Sequence, residues 1–130
     1  MLILRAFHKD FENRQDNNGI NIRQNIEKCI WKYDEFENPL KDELKITSEV
    51  AGDDDKDEFL SILKNGNAPK EYKSQYAENF RFFENKIQEM RNYNSANNQY
   101  IVTRLLKNCA VLFVEAETQD SALRIFSTLN

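Results

Sequence analysis

The chain is poor in the residues that most often carry chemistry or interrupt the backbone. Its 130 residues include 3 glycines, 2 prolines, 2 cysteines and one histidine. We find no internal repeat and no Gly- or Pro-rich linker. Any histidine-paired nucleophile or histidine-rich metal site would have to be built around His8. Cys29 and Cys109 lie far apart beside apolar residues, which favours two small buried side chains in a reducing compartment over a disulfide framework.

Long apolar segments and excess positive charge are also missing. The longest apolar run, residues 109–114, is far shorter than the roughly 20 residues that cross a bilayer. Charged residues interrupt the apolar start within two helical turns, and no cleavage site of a signal peptide follows. The chain has 18 basic and 22 acidic residues, a net charge of -4, so it has no overall positive field for a phosphate backbone. We therefore expect a soluble cytoplasmic protein with no membrane partner and no autonomous nucleic-acid binding.

Aromatic residues are plentiful, with 9 Phe and 5 Tyr, and the chain has the length of a single domain with one core. Helical spacing of apolar residues predicts a helix over residues 1–13. A polar loop over 13–19 precedes Asn21, which we interpret as the cap of a second helix carrying Ile22, Ile26 and Ile30. Alternating residues around Asn38 and Pro39 predict a short hairpin near 29–50, with strands at 29–33 and 44–50.

The second half of the chain is predicted to be helical except for one buried strand. The acidic residues 53–57 favour a helix start that is followed by a stop at Asn65 and Gly66. Apolar and aromatic residues from Tyr72 to Met90 recur at steps of three and four, which predicts a long amphipathic helix. A short helix over 100–107, an apolar strand near 109–116 and a last helix from Asp120 or Ser121 complete a mainly α fold with minor β (α+β).

Three candidate sites have simpler explanations. Asp53, Asp55 and Asp57 alternate as in a calcium loop, but Glu58 replaces the glycine of its sixth position and Lys64 the glutamate of its twelfth, so helix capping is favoured. The stripe from Tyr72 to Phe83 suits a core face better than a base-stacking platform, because its period is helical. His8, beside Lys9, is interpreted as a solvated surface residue. We therefore predict no catalytic residue and no metal site.

The two ends of the chain suggest an excised piece. The first helical pattern already runs at residue 1 without a cap, the strand near 109–116 has no neighbour in the sequence, and the last helix runs to the final residue. The expectation is a single truncated domain, 1–130, the helical middle region of a larger one. A buried-type strand without partners also predicts self-association, so a homo-oligomer of the fragment is expected.

Four segments, taken in order, resemble one prokaryotic family. They are the helix of residues 2–11, the acidic turn and helix of residues 53–63, the helix carrying Tyr76, Asn79, Phe80 and Phe83, and the strand and helix end carrying Val111, Ala122, Ile125, Phe126, Leu129 and Asn130. This order is similar to that of the N-terminal domain of GmrSD-type, modification-dependent restriction endonucleases, also called domain of unknown function 262. The family's Asp-Gly-Gln-Gln-Arg motif, normally just before the first helix, is missing here.

The resemblance implies a helical segment of a ParB/sulfiredoxin-like domain that is associated with nucleotide hydrolysis and sensing in phage defence. The chain would then be non-catalytic, with nucleoside triphosphate, divalent metal and DNA bound only by the parent protein. The partner would be the rest of that parent, including an HNH-type nuclease domain. Two motif residues carry over: Phe126, as packing, and Asn130, at the edge of the nucleotide pocket.

Two other functions stay open at the level of the sequence. One is a helical interaction or structural module that binds a protein partner through the apolar surface around residues 109–116. The other is a small nucleic-acid-binding domain, which the acidic balance disfavours.

Overall fold

The computed structural model describes residues 1–46, 53–71, 74–110 and 118–129. Within these ranges it contains helices α1 to α6 and strands β1 and β2. Their bounds in chain order are α1 Leu2–Phe11, α2 Asn17–Ile30, β1 Trp31–Tyr33, β2 Pro39–Leu44, α3 Asp53–Asn65, α4 Gln75–Tyr93, α5 Asn97–Asn108 and α6 Gln119–Leu129. The predicted mainly helical fold with a minor β component is confirmed.

Helix α2 begins five residues earlier than predicted. Its cap is Asp16 rather than Asn21, and the Asp16 carboxylate accepts the backbone N–H of Gly19 at 3.0 Å. Arg14 donates two hydrogen bonds to the same carboxylate, at 2.5 and 2.7 Å. The predicted loop over 13–19 is therefore too long, because polar residues that favour loops occupy the first helical turn behind a strong cap.

The hairpin is present, but its second strand comes earlier than predicted. Trp31 pairs with Leu44 and Tyr33 with Pro39 in an antiparallel ladder. The turn forms because the Asp34 carboxylate accepts the backbone N–H groups of Phe36 and Asn38 at 2.9 and 2.8 Å. The strand that we expected at 44–50 thus lies at 39–44, and residues 47–50 lie outside the described residues.

The predictions for α3 and α4 are confirmed. Helix α3 begins within the acidic cluster at Asp53 and ends at Asn65, where Gly66 has a left-handed φ of 70° and donates to the Ile62 carbonyl at 2.8 Å. In α4, Phe80 is buried, and Tyr76 and Phe83 pack partly buried against the core. The aromatic stripe is therefore a core face, although Tyr72 lies outside the described residues.

The core lies around α1, which contacts α2, α3, α4 and α5. Its largest fully buried apolar side chains come from six elements and are Trp31, Phe7, Phe11, Phe80, Ile26, Ile30, Ile62, Leu63 and Val102. Each such side chain stabilises the folded state by roughly 1.5–3 kcal/mol relative to exposure. A helix with neighbours on several sides must bury more than one stripe of its surface.

The region after α5 departs from the prediction where it is described. Cys109 and Ala110 are exposed and belong to no strand, and residues 111–116 of the predicted strand lie outside the described residues. Cys109 is exposed and Cys29 half-buried, with both thiols free, so the expectation of two buried cysteines is wrong for Cys109. The last helix, predicted from Asp120 or Ser121, is present as α6. None of the described helices combines the length and apolarity that crossing a membrane requires.

Candidate functional site

Two polar residues of α1, Arg5 and His8, lie one turn apart and point into the core. Arg5 is 6% exposed and His8 is 2% exposed. The prediction of a solvated surface histidine is therefore wrong. The charged neighbours of His8 in the sequence suggested a surface position, but α1 is enclosed by other helices and buries this side as well.

Hydrogen bonds fix the protonation state of His8. The Nδ1 atom of His8 lies 3.1 Å from Nη1 of Arg5, and its Nε2 atom lies 2.9 Å from Oε1 of Glu27 on α2. Because a guanidinium group only donates hydrogen bonds, Nδ1 of His8 must accept. His8 is therefore the neutral tautomer with its proton on Nε2, which donates to the Glu27 carboxylate.

Burial keeps His8 neutral. It lowers the pKa of His8 below the ordinary value of 6.5, and the positive charge of Arg5 lowers it further, while the hydrogen bond to Glu27 and the nearby carboxylates of Glu27 and Glu12 raise it. Burial also lowers the pKa of Arg5 below its ordinary value. An arginine in a protein keeps its charge in spite of such a shift.

The same arginine caps the end of α3. Its Nε donates to the carbonyl of Leu63 at 2.9 Å and its Nη2 to that of Lys64 at 3.5 Å. These carbonyls belong to the last turn of α3, which has no helical partner for them. The guanidinium lies against Gly66, and a Cβ at that glycine would come 2.6 Å from the Arg5 Cζ.

Trp31 closes the cluster from the hairpin side. The rings of His8 and Trp31 meet edge to face with centroids 5.0 Å apart, and the Arg5 Cζ lies 5.3 Å from the Trp31 ring centroid. Trp31 itself is only 1% exposed. We define Arg5, His8, Glu27 and Trp31 as the buried polar cluster.

This cluster has the composition of a catalytic site but the geometry of a structural one. A general base must reach the proton that it abstracts in a bound substrate. His8 is buried, and both of its ring nitrogens are hydrogen-bonded to protein side chains. What the cluster does is to join α1 to α2 and to the end of α3. Among the described residues, no three His, Cys, Asp or Glu side chains lie together as metal ligands.

An open cleft lies between α2 and α5. Its volume is about 620 Å³. Five carboxamide side chains, two lysines and one threonine line it beside apolar groups. The carboxamides are Asn18, Asn21, Gln24, Asn25 and Gln99.

The family resemblance predicted two site residues, Phe126 and Asn130. Phe126 lies in α6, where its backbone is described, and Asn130 lies outside the described residues. The buried polar cluster was not predicted from the sequence. Two sequence features could have indicated it. Arg5 and His8 lie one helical turn apart, with His8 between the buried positions Phe7 and Phe11, and Gly66 follows a helix end.

Comparisons with known proteins bring no assignment: no family model, no curated protein and no solved structure matches the chain.

Proposed function

We propose that this chain is a non-catalytic helical part of the nucleotide-sensing, regulatory domain of a GmrSD-type, modification-dependent restriction endonuclease. The observation that supports the proposal most is the helix-end motif of Ile125, Phe126, Leu129 and Asn130, which follows an apolar segment as in that family. Helix α6 spans these positions up to Leu129. Because the comparisons bring no match, the proposal depends on these motif residues and on the order of the preceding segments.

The environment of His8 supports a scaffold role. The chain has one histidine, and its hydrogen bond to Glu27 connects α1 to α2, while its partner Arg5 connects α1 to the end of α3. In this proposal the chemistry belongs to the rest of the parent: the Asp-Gly-Gln-Gln-Arg motif acts on a nucleoside triphosphate with a divalent metal, and an HNH-type domain cleaves modified DNA in the cytoplasm. The helical part supports a ParB/sulfiredoxin-like sheet, and Asn130 lies at the edge of its nucleotide pocket.

The experiment compares nucleoside triphosphate hydrolysis by three proteins: this chain, the product of its whole natural reading frame, and that product with Asn130→Ala. We expect hydrolysis only by the whole product, and a loss of about tenfold or more with Asn130→Ala, equivalent to ~1.4 kcal/mol of barrier. Asn108→Ala, at the exposed end of α5, is the matched control and should leave the rate unchanged.

Two results would contradict the proposal. The first is hydrolysis by this chain alone at the rate of the whole product, because the chemistry would then lie in these 130 residues. The second is a natural reading frame that contains neither the Asp-Gly-Gln-Gln-Arg motif nor a nuclease domain.

A second candidate is a helical interaction module that binds another protein or a second copy of itself. Large apolar side chains at the surface favour it: Tyr93 at the end of α4 is 89% exposed, Tyr100 in α5 68% and Leu123 in α6 61%. Light scattering over a range of concentrations tests self-association. A mass that rises with concentration supports this candidate. A monomer at every concentration would contradict binding to a second copy.

A further inference from the structure

The cleft between α2 and α5 has two walls that are each one face of a helix. On α2 the polar positions recur at steps of three or four, and on α5 at steps of four, so each set lies on one side of its helix. The α2 set is Asn18, Asn21, Gln24, Asn25 and Lys28, and the α5 set is Gln99, Thr103 and Lys107. Ile22 and Leu106 add apolar surface between them.

The carboxamides of this cleft are unpartnered within the described part of the chain. None of the five forms a side-chain hydrogen bond with a described residue, whereas comparable amides elsewhere pair along their helix. On α4, Gln75 donates to Asn79 at 3.2 Å and Gln88 donates to Asn92 at 2.9 Å. The cleft therefore presents free donors and acceptors together in one concave surface.

The charge of the cleft is opposite to that of the chain. The chain carries a net charge of -4, yet the described lining includes Lys28 and Lys107 and no carboxylate. Neither lysine forms an ion pair with a described carboxylate, whereas Lys9, Lys32 and Lys86 each do. An anionic ligand would therefore find two uncompensated positive charges.

The length of the polar row on α2 and the chemistry of its amides suit a short extended peptide. A carboxamide donates and accepts at once, as a backbone peptide group does. Peptide groups that face the same way recur every ~6.6 Å along an extended chain, and helix positions three or four apart rise by about 4.5–6 Å. The distance along α2 from Asn18 to Lys28 is about 15 Å, which equals about four or five extended residues.

We propose that the α2–α5 cleft binds an extended acidic peptide segment, with the carboxamides pairing with its backbone and with Lys28 and Lys107 pairing with its carboxylates. Single-stranded nucleic acid is another extended anionic polymer. It is recognised by stacking on aromatic side chains, and no aromatic side chain is among the described lining residues. The observations therefore favour the peptide.

The test measures fluorescence anisotropy with labelled hexapeptides of alternating aspartate and serine, asparagine and serine, or lysine and serine. We expect the acidic peptide to bind most tightly and the basic one least. Lys28→Glu combined with Lys107→Glu should weaken binding of the acidic peptide by at least about tenfold, because both charge pairs become repulsive. Asn21→Ala combined with Asn25→Ala should weaken binding of the neutral peptide as well.

Lys64→Glu is the matched control, because Lys64 occupies the last turn of α3 as Lys28 and Lys107 occupy the last turns of α2 and α5. Like the other two substitutions, Lys64→Glu destabilises the fold by placing a negative charge in the last turn of a helix. Because Lys64 lies outside the cleft, this variant should leave binding unchanged. Circular dichroism checks that each variant is folded.

A second measurement reports on the cleft itself. Cys29 lines the cleft and is half-buried, so in a Cys109→Ser background the acidic peptide should slow its alkylation by iodoacetamide. Equal weakening by Lys64→Glu, equal binding of acidic and basic peptides, or alkylation of Cys29 at an unchanged rate under saturating peptide would overturn the proposal. Tighter binding of labelled oligothymidylate than of the acidic peptide would also overturn it, in favour of nucleic acid.

Discussion

Arg5 illustrates how one buried charge can connect distant parts of the sequence. Its guanidinium reaches across 58 residues to the Leu63 carbonyl, lies 5.3 Å from the Trp31 ring centroid, and determines which nitrogen of His8 holds the proton. His8 was predicted to lie at the surface because its neighbours in the sequence are charged. Which side of a helix is buried depends on how many helices surround it, and that number is a property of the tertiary structure.

Gly66→Ala tests the contact between Arg5 and the end of α3. We expect a loss of about 2–3 kcal/mol in the free energy of unfolding, because alanine is strained at a φ of 70° and its Cβ displaces the guanidinium. Urea denaturation measures the loss, and Lys64→Ala at the exposed end of the same helix is the control. A loss below about 0.5 kcal/mol for Gly66→Ala would show that Arg5 does not depend on this glycine.

The pKa of His8 predicts how stability depends on pH. The unfolded chain has the ordinary histidine pKa of 6.5 and the folded chain a lower one, so the unfolded state binds more protons between these values. Stability should therefore be complete above pH 6.5 and should fall as the pH falls from 6.5 towards the folded pKa.

Urea denaturation at a series of pH values measures this dependence, and His8→Gln should remove it from this window. The hydrogen bond from Arg14, followed by that from the Gly19 N–H, lowers the pKa of Asp16 to about 2. The stability that Asp16 provides is therefore lost only below its ordinary pKa of 3.8, outside this window. An equal slope in the wild type and His8→Gln between pH 5 and 6.5 would contradict the assignment to His8.

Helix starts show what the sequence reveals at the scale of elements. The acidic start and the stop at Asn65 and Gly66 predicted α3, and the regular apolar period from Tyr72 to Met90 predicted α4. Periodicity missed the start of α2, where three residues with low helix propensity, Asn17, Asn18 and Gly19, follow a strong cap at Asp16. The hairpin was also displaced, because Asp34 organises a tight turn through side-chain bonds that β-strand patterns do not reveal.

Ser74→Ala tests the cap of α4. The Ser74 hydroxyl accepts the Ala77 N–H at 3.1 Å and donates to the buried Glu58 carboxylate at 2.5 Å. Its removal costs the cap and leaves Glu58 without this partner, so we expect a loss of about 2–3 kcal/mol. Thermal unfolding measures it, with Ser95→Ala in the exposed turn before α5 as the control. Equal melting temperatures for the two variants would argue against this cap.

The position of α1 organises the whole molecule. The sequence predicted the mainly α fold and most core residues, because burial of a helix face leaves a period of three to four residues. It could not predict that α1 would lie among four other helices, because pairing of helices depends on the complementarity of surfaces distant in sequence. His8, on the second buried face of α1, was therefore wrongly predicted to lie at the surface.

Phe80 and Phe82 give a matched test of this core. Both are phenylalanines of α4, but Phe80 is fully buried whereas Phe82 is 55% exposed. We expect Phe80→Ala to lower the free energy of unfolding by about 3–5 kcal/mol and Phe82→Ala by less than about 1 kcal/mol. Urea denaturation of both variants measures the difference, and similar losses would contradict the packing of α4 on the core.

The one histidine of the chain is a structural group that, together with Arg5, joins three helices. Nitrogen-15 NMR of the imidazole tests this role directly, because a chain with a single histidine gives a single pair of ring signals. At pH 7 we predict a neutral ring with its proton on Nε2 and a protonation midpoint below 6.5. A midpoint at or above 6.5, or a mixture of both neutral tautomers, would place His8 in contact with solvent and contradict the account.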